Sequence, residues 1–405
     1  MSPDARRIIA AQGLRAAGYG CTAVLLGALL SARSFSPLRT GLVLGFLVAG
    51  TAGASLLVGA VADKVGRRRC YVLLFVGVAA AGAAVAAGAQ FWVLLLVALT
   101  GLLSTDVVDN GPATTLEQTM LANEDARAAG TSGARVYGLY NAVASICGAA
   151  GALLAGLLGR LGASPASAWP FLVLVPCGLA GALLASRLTP DVESSDSGPA
   201  PKSGAAAALN GWSRLGPSRR RVRGLAGLFA MDAAGGGLAT ASFLAYYLTQ
   251  RYDVPLGRLG VLFFATSLVQ AGSVWLAPRI ADRIGLVPTM VFTHLPSNVL
   301  LASVAFAPTF PVAVVLLLAR TSLSQMDVPT RQALVMRVVE PEERTAAAAV
   351  TNAARYTVRP LGPLVGGALQ QVTLGLPLVV AGAVKGAYDL ALWRWSRRVP
   401  GARLG

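Results

Sequence analysis

Eight charged residues sit inside stretches that are otherwise apolar, where an ionised side chain costs roughly a few kcal/mol or more unless it is paired or hydrated. In "LLSTDVVDNGPATTLE", Asp106 and Asp109 stand three residues apart, which puts both on one face of a helix. "LLLARTSLSQMDVPTRQ" carries Arg320, Asp327 and Arg331 at separations of seven and four, again one face. "LAGLFAMDAAGGG" holds Asp232, followed by glycines that allow a bend or a close approach. "NAARYTVRPLGPLVGGAL" sets Arg355 and Arg359 one turn apart, ahead of Gly362, Pro363, Gly366 and Gly367. Two chemistries compete for these groups. A carboxylate that is poorly solvated when ionised can bind a proton and release it elsewhere, which is proton coupling. A static ion pair, such as Asp106 or Asp109 with Arg320, would only neutralise buried charge. Arg355 and Arg359 suit an anionic solute, or pairing with acids such as Asp106 or Asp109.

The elements that hold these residues are set by composition. Of 405 residues, 55% are hydrophobic and 13% charged, against roughly one-quarter charged in soluble domains. The apolar residues come in blocks of about 20, enough to cross a hydrocarbon core. The blocks are apolar on every side, as in "FWVLLLVALTGLL", whereas barrel strands would alternate. Twelve helical spans are expected, near 11–33, 38–61, 70–89, 91–118, 135–158, 168–187, 224–249, 259–281, 288–307, 310–336, 346–370 and 375–395. The first run is too long for a removable signal peptide and is expected to stay as an anchor.

Lysines and arginines resist translocation, and most of the 34 fall on one set of loops and ends, from Arg6, Arg7 and Arg15 through to Arg394, Arg397, Arg398 and Arg403. The opposite loops hold Arg33, Arg39, Arg160, Arg251 and Arg258. Both termini are therefore expected in the cytoplasm, in a cell's inner (cytoplasmic) membrane. The net charge of +16 reads as topology plus attraction to anionic lipids, with no need for nucleic acid.

Residues 190–222, in "TPDVESSDSGPAPKSGAAAALNGWSRLGPSRRRVRG", are poor in bulky apolar side chains and read as a cytoplasmic linker between bundles at 1–189 and 223–405. Set about 218 residues apart, the bundles match three times. "VADKVGRRR" falls on "IADRIGLVP", with Asp63 over Asp282 and Gly66 over Gly285; Asp109 falls on Asp327; and the loop "NEDAR" falls on "EPEER". A tandem duplication with parallel repeats is implied.

The loop from Gly59 to Arg69, "GAVADKVGRRR", resembles the signature loop of the major facilitator superfamily: a Gly, an Asp after Ala or Gly, a basic residue, a spaced Gly and then bases. Here it stands as Gly59, Asp63, Lys64, Gly66, Arg67 and Arg68, with a degenerate copy at Asp282, Arg283 and Gly285. The resemblance covers essentially the whole chain and implies an all-α membrane protein of twelve helices in two pseudo-symmetric six-helix bundles, working by alternating access. It implies that the loop residues Gly59, Asp63, Gly66, Arg67, Asp282 and Gly285 form a conformational latch, with Asp63 and Arg67 its chief members. It further implies that the first, fourth, seventh and tenth helices line a central cavity, which would take in Asp106, Asp109, Asp232, Arg320 and Asp327. Outer helices of that fold face lipid, so Lys385 and Asp389, four residues apart on the last span, are expected to form a local salt bridge outside the site. Drug/proton antiporters of the superfamily carry an Arg in the fourth helix and Gly-Pro-x-x-Gly-Gly in the fifth. Here the fourth has no Arg, the fifth has "GAAGALLAG", and "GPLVGG" stands in the eleventh.

Enzyme chemistry finds little support. The single histidine, His294, is expected to hydrogen-bond a neighbouring backbone. Cys21, Cys70, Cys147 and Cys177 show neither metal nor disulfide spacing, and no Walker loop is present. No cofactor is expected. The leading expectation is a monomeric, proton-coupled exporter of a small organic solute. The alternative is an organic-anion uptake or exchange transporter using Arg320, Arg355 and Arg359. A sensor on the same fold would need a reporter domain, for which the tail "RWSRRVPGARLG" is too short.

Overall fold

The computed structural model describes residues 1–107, 111–127, 133–193 and 211–399, and among them the regular structure is helical throughout. Polytopic helices satisfy every backbone group internally, which is what a hydrocarbon solvent demands. In chain order the helices are α1 (Pro3–Ala32), α2 (Pro37–Val65), α3 (Arg67–Ala87), α4 (Phe91–Leu99), α5 (Pro112–Arg127), α6 (Gly133–Arg160), α7 (Leu174–Ser186), α8 (Arg219–Gly237), α9 (Ala241–Tyr252), α10 (Leu256–Ile284), α11 (Leu286–Val304), α12 (Phe310–Ser324), α13 (Asp327–Val338), α14 (Arg344–Val358), α15 (Leu361–Gln370) and α16 (Leu376–Ser396). Ten described segments are long and apolar enough to span a membrane. They match ten of the expected blocks, and the other two, the fourth and the eleventh, are each broken in the middle. Large apolar side chains such as Leu57, Trp92, Ile146, Trp275 and Phe306 are exposed, the surface that lipid covers in a multi-pass protein.

The starts of the helices are written locally. Ser2–Pro3 and Ser36–Pro37 open α1 and α2, each Ser oxygen accepting an N–H from the first turn while Pro occupies a position that needs no donor. The breaks have local causes too. In the fourth block α4 stops before Gly101, whose φ of +68° is left-handed, and the chain runs irregularly through 101–107 before Pro112 opens α5. Asp106 therefore lies in a non-helical segment, its N–H donating to Ser104 Oγ at 3.1 Å, and not on a helical face. Asp109, expected three residues on along that face, lies outside the described residues. In the seventh block the helix ends at Gly237, where the glycine run ends. The tenth breaks at Gln325–Met326. In the eleventh, Pro360 and Pro363 each lack the donor an unbroken helix would use, and the interruption falls at residues 359–360. Asn123–Arg127, expected as a loop, completes α5.

The chain divides into two compact units, Met1–Lys202 with Leu244–Ser267, and Ser203–Phe243 with Leu268–Gly405. In the first, α1 packs on α6 and α7, α3 on α7, and α2 on α4 and α5. The α1–α6 contact is as close as backbones allow. A Cβ at Gly20 would lie 2.0 Å from the Gly148 carbonyl oxygen, and one at Gly151 would lie 1.9 Å from that of Ala17, so small residues here set the helix spacing. In the second unit α11 packs on α12, α13 and α16, and α8 on α14 and α16. Each unit has its own apolar core, one around Tyr71, Phe75, Met120 and Tyr140, the other around Phe229, Met290, Leu334 and Tyr388.

Candidate functional site

Each unit buries a cluster of charge beside its apolar core. In the first unit Arg15 of α1 meets Glu117 of α5, Nη2 to Oε2 at 2.7 Å, with the two side chains only 2% and 0% exposed. The same guanidinium nitrogen donates to Thr114 Oγ1 at 3.2 Å. Tyr71 of α3 donates to Glu117 Oε1 at 2.8 Å, and Tyr140 of α6 to Oε2 at 2.6 Å. Four helices thus converge on one carboxylate, whose charge is met by one guanidinium and two phenols. The charges balance.

The second unit holds a larger cluster drawn from α8, α11, α13 and α16. Asp232 Oδ1 accepts from Lys385 Nζ at 2.5 Å, and Oδ2 accepts from Arg331 Nη1 at 3.4 Å. Arg331 Nη1 also donates to Asp327 Oδ2 at 2.8 Å, one helical turn back. On the far side of Asp232, His294 Nε2 stands 3.9 Å from Oδ1, while Nδ1 lies 2.8 Å from Asp389 Oδ1. Asn298 Nδ2 donates to the other oxygen of Asp389 at 2.8 Å. Three carboxylates, two fixed cations and one imidazole are therefore packed together out of solvent. Tyr388 closes the cluster, its ring edge-on to that of His294 with centroids 6.0 Å apart.

Of the residues expected to work together, Asp232 and Asp327 are brought into this cluster. Arg320 belongs to α12, beyond the break, and Arg355 to α14; the Nε of each is buried with no hydrogen-bond partner among the described residues. Arg359 lies at the interruption between α14 and α15. The single face expected for Arg320, Asp327 and Arg331 is cut by the Gln325–Met326 break, and only the last two pair.

At the signature loop, Gly66 joins α2 to α3 with φ +101° and ψ +130°, and Gly285 joins α10 to α11 with φ +94° and ψ +160°. Both combinations are essentially closed to residues with a Cβ. The repeat also extends to the hydrogen bonds. Gly66 N–H donates to Ala62 O and Cys70 N–H to Gly66 O; Gly285 N–H donates to Ala281 O and Thr289 N–H to Gly285 O, all within 2.8–3.1 Å. In the first unit Glu193 caps the new helix, accepting from the N–H of Arg67 at 2.7 Å and of Arg68 at 3.0 Å. Arg67 is buried, and Arg68 donates to the Ser186 carbonyl. The side chain of Asp63 lies outside what is described. Of the linker, 194–210 lies outside the described residues.

A family model described as Major Facilitator Superfamily matches residues 8–363. The chain belongs to the major facilitator superfamily. It is 25% identical over 421 aligned positions to an uncharacterized membrane protein of Saccharomyces cerevisiae, covering 96% of this chain and 93% of that protein. Solved structures share its fold. The nucleoside transporter NupG superposes with a TM-score of 0.75 at 14% identity, covering 97% of this chain and 99% of NupG. A D-xylose-proton symporter gives 0.70 at 15%, covering 98% of each chain. A human organic anion transporter gives 0.63 at 19%, covering 97% and 100%.

As a major facilitator superfamily protein the chain is a multi-pass membrane transporter of a small solute and not an enzyme. Its charged clusters correct several expectations. Arg15, counted with the basic cytoplasmic end, is buried against Glu117, which had not been singled out. Lys385 and Asp389, expected to pair with each other on a lipid-facing helix, instead bond Asp232 and His294 on other helices, because their side of α16 faces α8 and α11. His294 bonds a carboxylate, not a backbone. A signal was available for Arg15: it lies within the long apolar first helix, well inside its basic start at Arg6 and Arg7.

Proposed function

We propose that the chain is a proton-coupled exporter of a small organic solute, working by alternating access as a monomer in the cytoplasmic membrane, with both termini inside. The observation that carries this reading is the buried cluster around Asp232, whose three carboxylates outnumber its two fixed cations. A site of this kind binds one proton at little electrostatic cost, because the added charge cancels an existing surplus instead of creating a new one. A carrier that must hold a proton in one conformation and lose it in the other needs such a group. Asp232 and Asp327, and with them Asp106 and Asp109 of the fourth span, are the acids assigned to coupling.

A second reading is organic-anion uptake or exchange. It is favoured by Arg320 and Arg355, whose buried Nε atoms have no hydrogen-bond partner among the described residues, and it includes Arg359. The solutes named for proteins of similar fold span a nucleoside transporter, a xylose–proton symporter and an organic anion transporter. One member of each class is therefore the panel for reconstituted vesicles. The leading reading expects a solute of the panel to move outward against its gradient as protons move inward. An acid-outside gradient that has no effect, together with one-for-one anion exchange lost in Arg320→Gln and Arg355→Gln, would replace it with the second.

The loop residues Gly59, Asp63, Gly66, Arg67, Asp282 and Gly285 are assigned to the latch between conformations. Support comes from the matching turns at Gly66 and Gly285 and from the burial of Arg67. Asp63→Ala is expected to abolish transport with membrane insertion and expression intact; retained full transport removes the latch. Basic cytoplasmic loops are assigned to anionic lipid headgroups.

A further inference from the structure

Asp232, Asp327, Asp389, Lys385 and Arg331 are the charged residues of the second cluster, and their charges pair off unevenly. Arg331 answers Asp327 at 2.8 Å and Lys385 answers Asp232 at 2.5 Å. Asp389, fully buried, is left with an imidazole. We infer that His294 is the proton-carrying group of this transporter, taking the proton on Nε2, and that Asp389 and Asn298 are the positioning residues that reserve that nitrogen. The inference rests on the proton-coupled reading above and names the atom that does the coupling.

The geometry points to one tautomer. Both oxygens of Asp389 face nitrogen, Oδ1 the ring Nδ1 at 2.8 Å and Oδ2 the Asn298 amide at 2.8 Å. With Asp389 ionised, an oxygen pair so placed accepts twice, from Asn298 and from an Nδ1 that carries hydrogen, and the Asn298 amide nitrogen also lies 3.2 Å from that Nδ1. The neutral ring is then bare at Nε2, which lies 3.9 Å from Asp232 Oδ1. That same oxygen holds Lys385. A proton arriving on Nε2 places a positive charge at ion-pair distance from Asp232 and brings the charge of the cluster from one negative to zero. Its loss returns Asp232 to Lys385 and Arg331 alone.

Every element packed on α11 bears on this count. α16 supplies Asp389, Lys385 and Tyr388; α8 supplies Asp232; α13 supplies Asp327 and Arg331. α12 supplies Arg320, whose carbonyl accepts from Ser297 Oγ, but whose guanidinium has no acid at ion-pair distance among the described residues, so it does not cancel the surplus. The mechanical consequence falls on α8. With His294 charged, α8 is tied to α11, α13 and α16; with it neutral, only to α13 and α16. α8 ends five residues after Asp232, at the Gly237 break, so the proton acts beside a ready hinge.

The chain's one histidine makes the test direct. Full-length protein carrying 15N-histidine and no polyhistidine tag is placed in lipid nanodiscs, and both ring nitrogens are followed by NMR as pH falls. The expected result is an Nδ1 that carries hydrogen throughout and an Nε2 that passes from bare to protonated over the pH range in which transport changes. A ring that is bare at Nδ1 when neutral, or that does not titrate in that range, overturns the inference. In vesicles, His294→Gln is expected to keep solute exchange at equal pH and to lose accumulation driven by a pH gradient. Accumulation retained in His294→Gln while wild type is coupled sinks His294 alone; wild type that moves no protons with solute sinks the coupled reading itself.

Discussion

The two units bury their charge in corresponding helices with opposite polarity. The first and fourth spans hold Arg15 and Glu117; the seventh and tenth, their repeat partners, hold Asp232 and Arg331. Among the described residues the first cluster is closed, with one cation, one anion and two phenols. The second is open by one charge and contains the only imidazole of the chain. A duplicated fold has thus kept the device of a buried ion pair in both copies, and the proposed function assigns proton exchange to one of them. The first reads as a fastener for α1, α3, α5 and α6, the second as a site of work.

The largest effect expected from that contrast is on the fastener. Glu117→Leu or Arg15→Met alone strands a buried charge and should destabilise the protein by about 3–5 kcal/mol, read as a fall in the thermal unfolding midpoint in detergent. The double variant should recover most of that loss, since a well-packed apolar pair replaces a balanced ionic one at little cost. If the double variant keeps its stability but loses pH-gradient-driven transport, the first cluster is not a mere fastener and the contrast fails.

The next effect sharpens what the copies share. Gly66→Ala and Gly285→Ala should each cost about 1–3 kcal/mol, because both backbones sit where a Cβ is strained. Equal falls in unfolding midpoint support a common turn, whereas a neutral outcome at Gly285 would confine the strain to the first copy. Smaller again is the cap on α3. Glu193→Ala removes the acceptor for two amides at a helix start and should cost about 1 kcal/mol.

The smallest effect is one of pH. Glu343 accepts hydrogen bonds from the Ser218 side chain and from the N–H groups of Gly216 and Ser218, which hold its carboxyl below the ordinary glutamate value. A lowered native value means that the stabilisation is present above the unfolded carboxylate pKa of about 4.3 and is lost as pH falls through the native one. Glu343→Gln should therefore flatten the acid limb of a melting-point-against-pH curve slightly. An unchanged limb would show the clamp to be without weight.

Much of the fold was legible because lipid imposes it. Apolar blocks of span length and the paired loops at Gly66 and Gly285 are local patterns, and the chain bears them in order. The breaks at Gly237 and before Pro360 were half legible, since the glycines and prolines were visible but the exact point of rupture depends on neighbouring helices. The charged clusters were legible only in part. Asp232 and Asp327 stand out as acids in apolar runs. Arg15 was masked by its nearness to Arg6 and Arg7, and its partner lies 102 residues away. Lys385 and Asp389 have a spacing that suggests a local pair, and only the packing of α16 against α8 and α11 reveals two different partners. His294 carried no neighbouring signal at all.

The contrast between the units comes to a point in one experiment: solute accumulation in vesicles under an imposed pH gradient, using a nucleoside, a pentose and an organic anion as probes. Wild type, Asp232→Asn and the double variant Arg15→Met/Glu117→Leu are to be measured side by side. The account predicts that gradient-driven movement of the transported probe disappears in Asp232→Asn, with exchange at equal pH preserved, and persists in the double variant. Gradient-driven movement that survives in Asp232→Asn would contradict it.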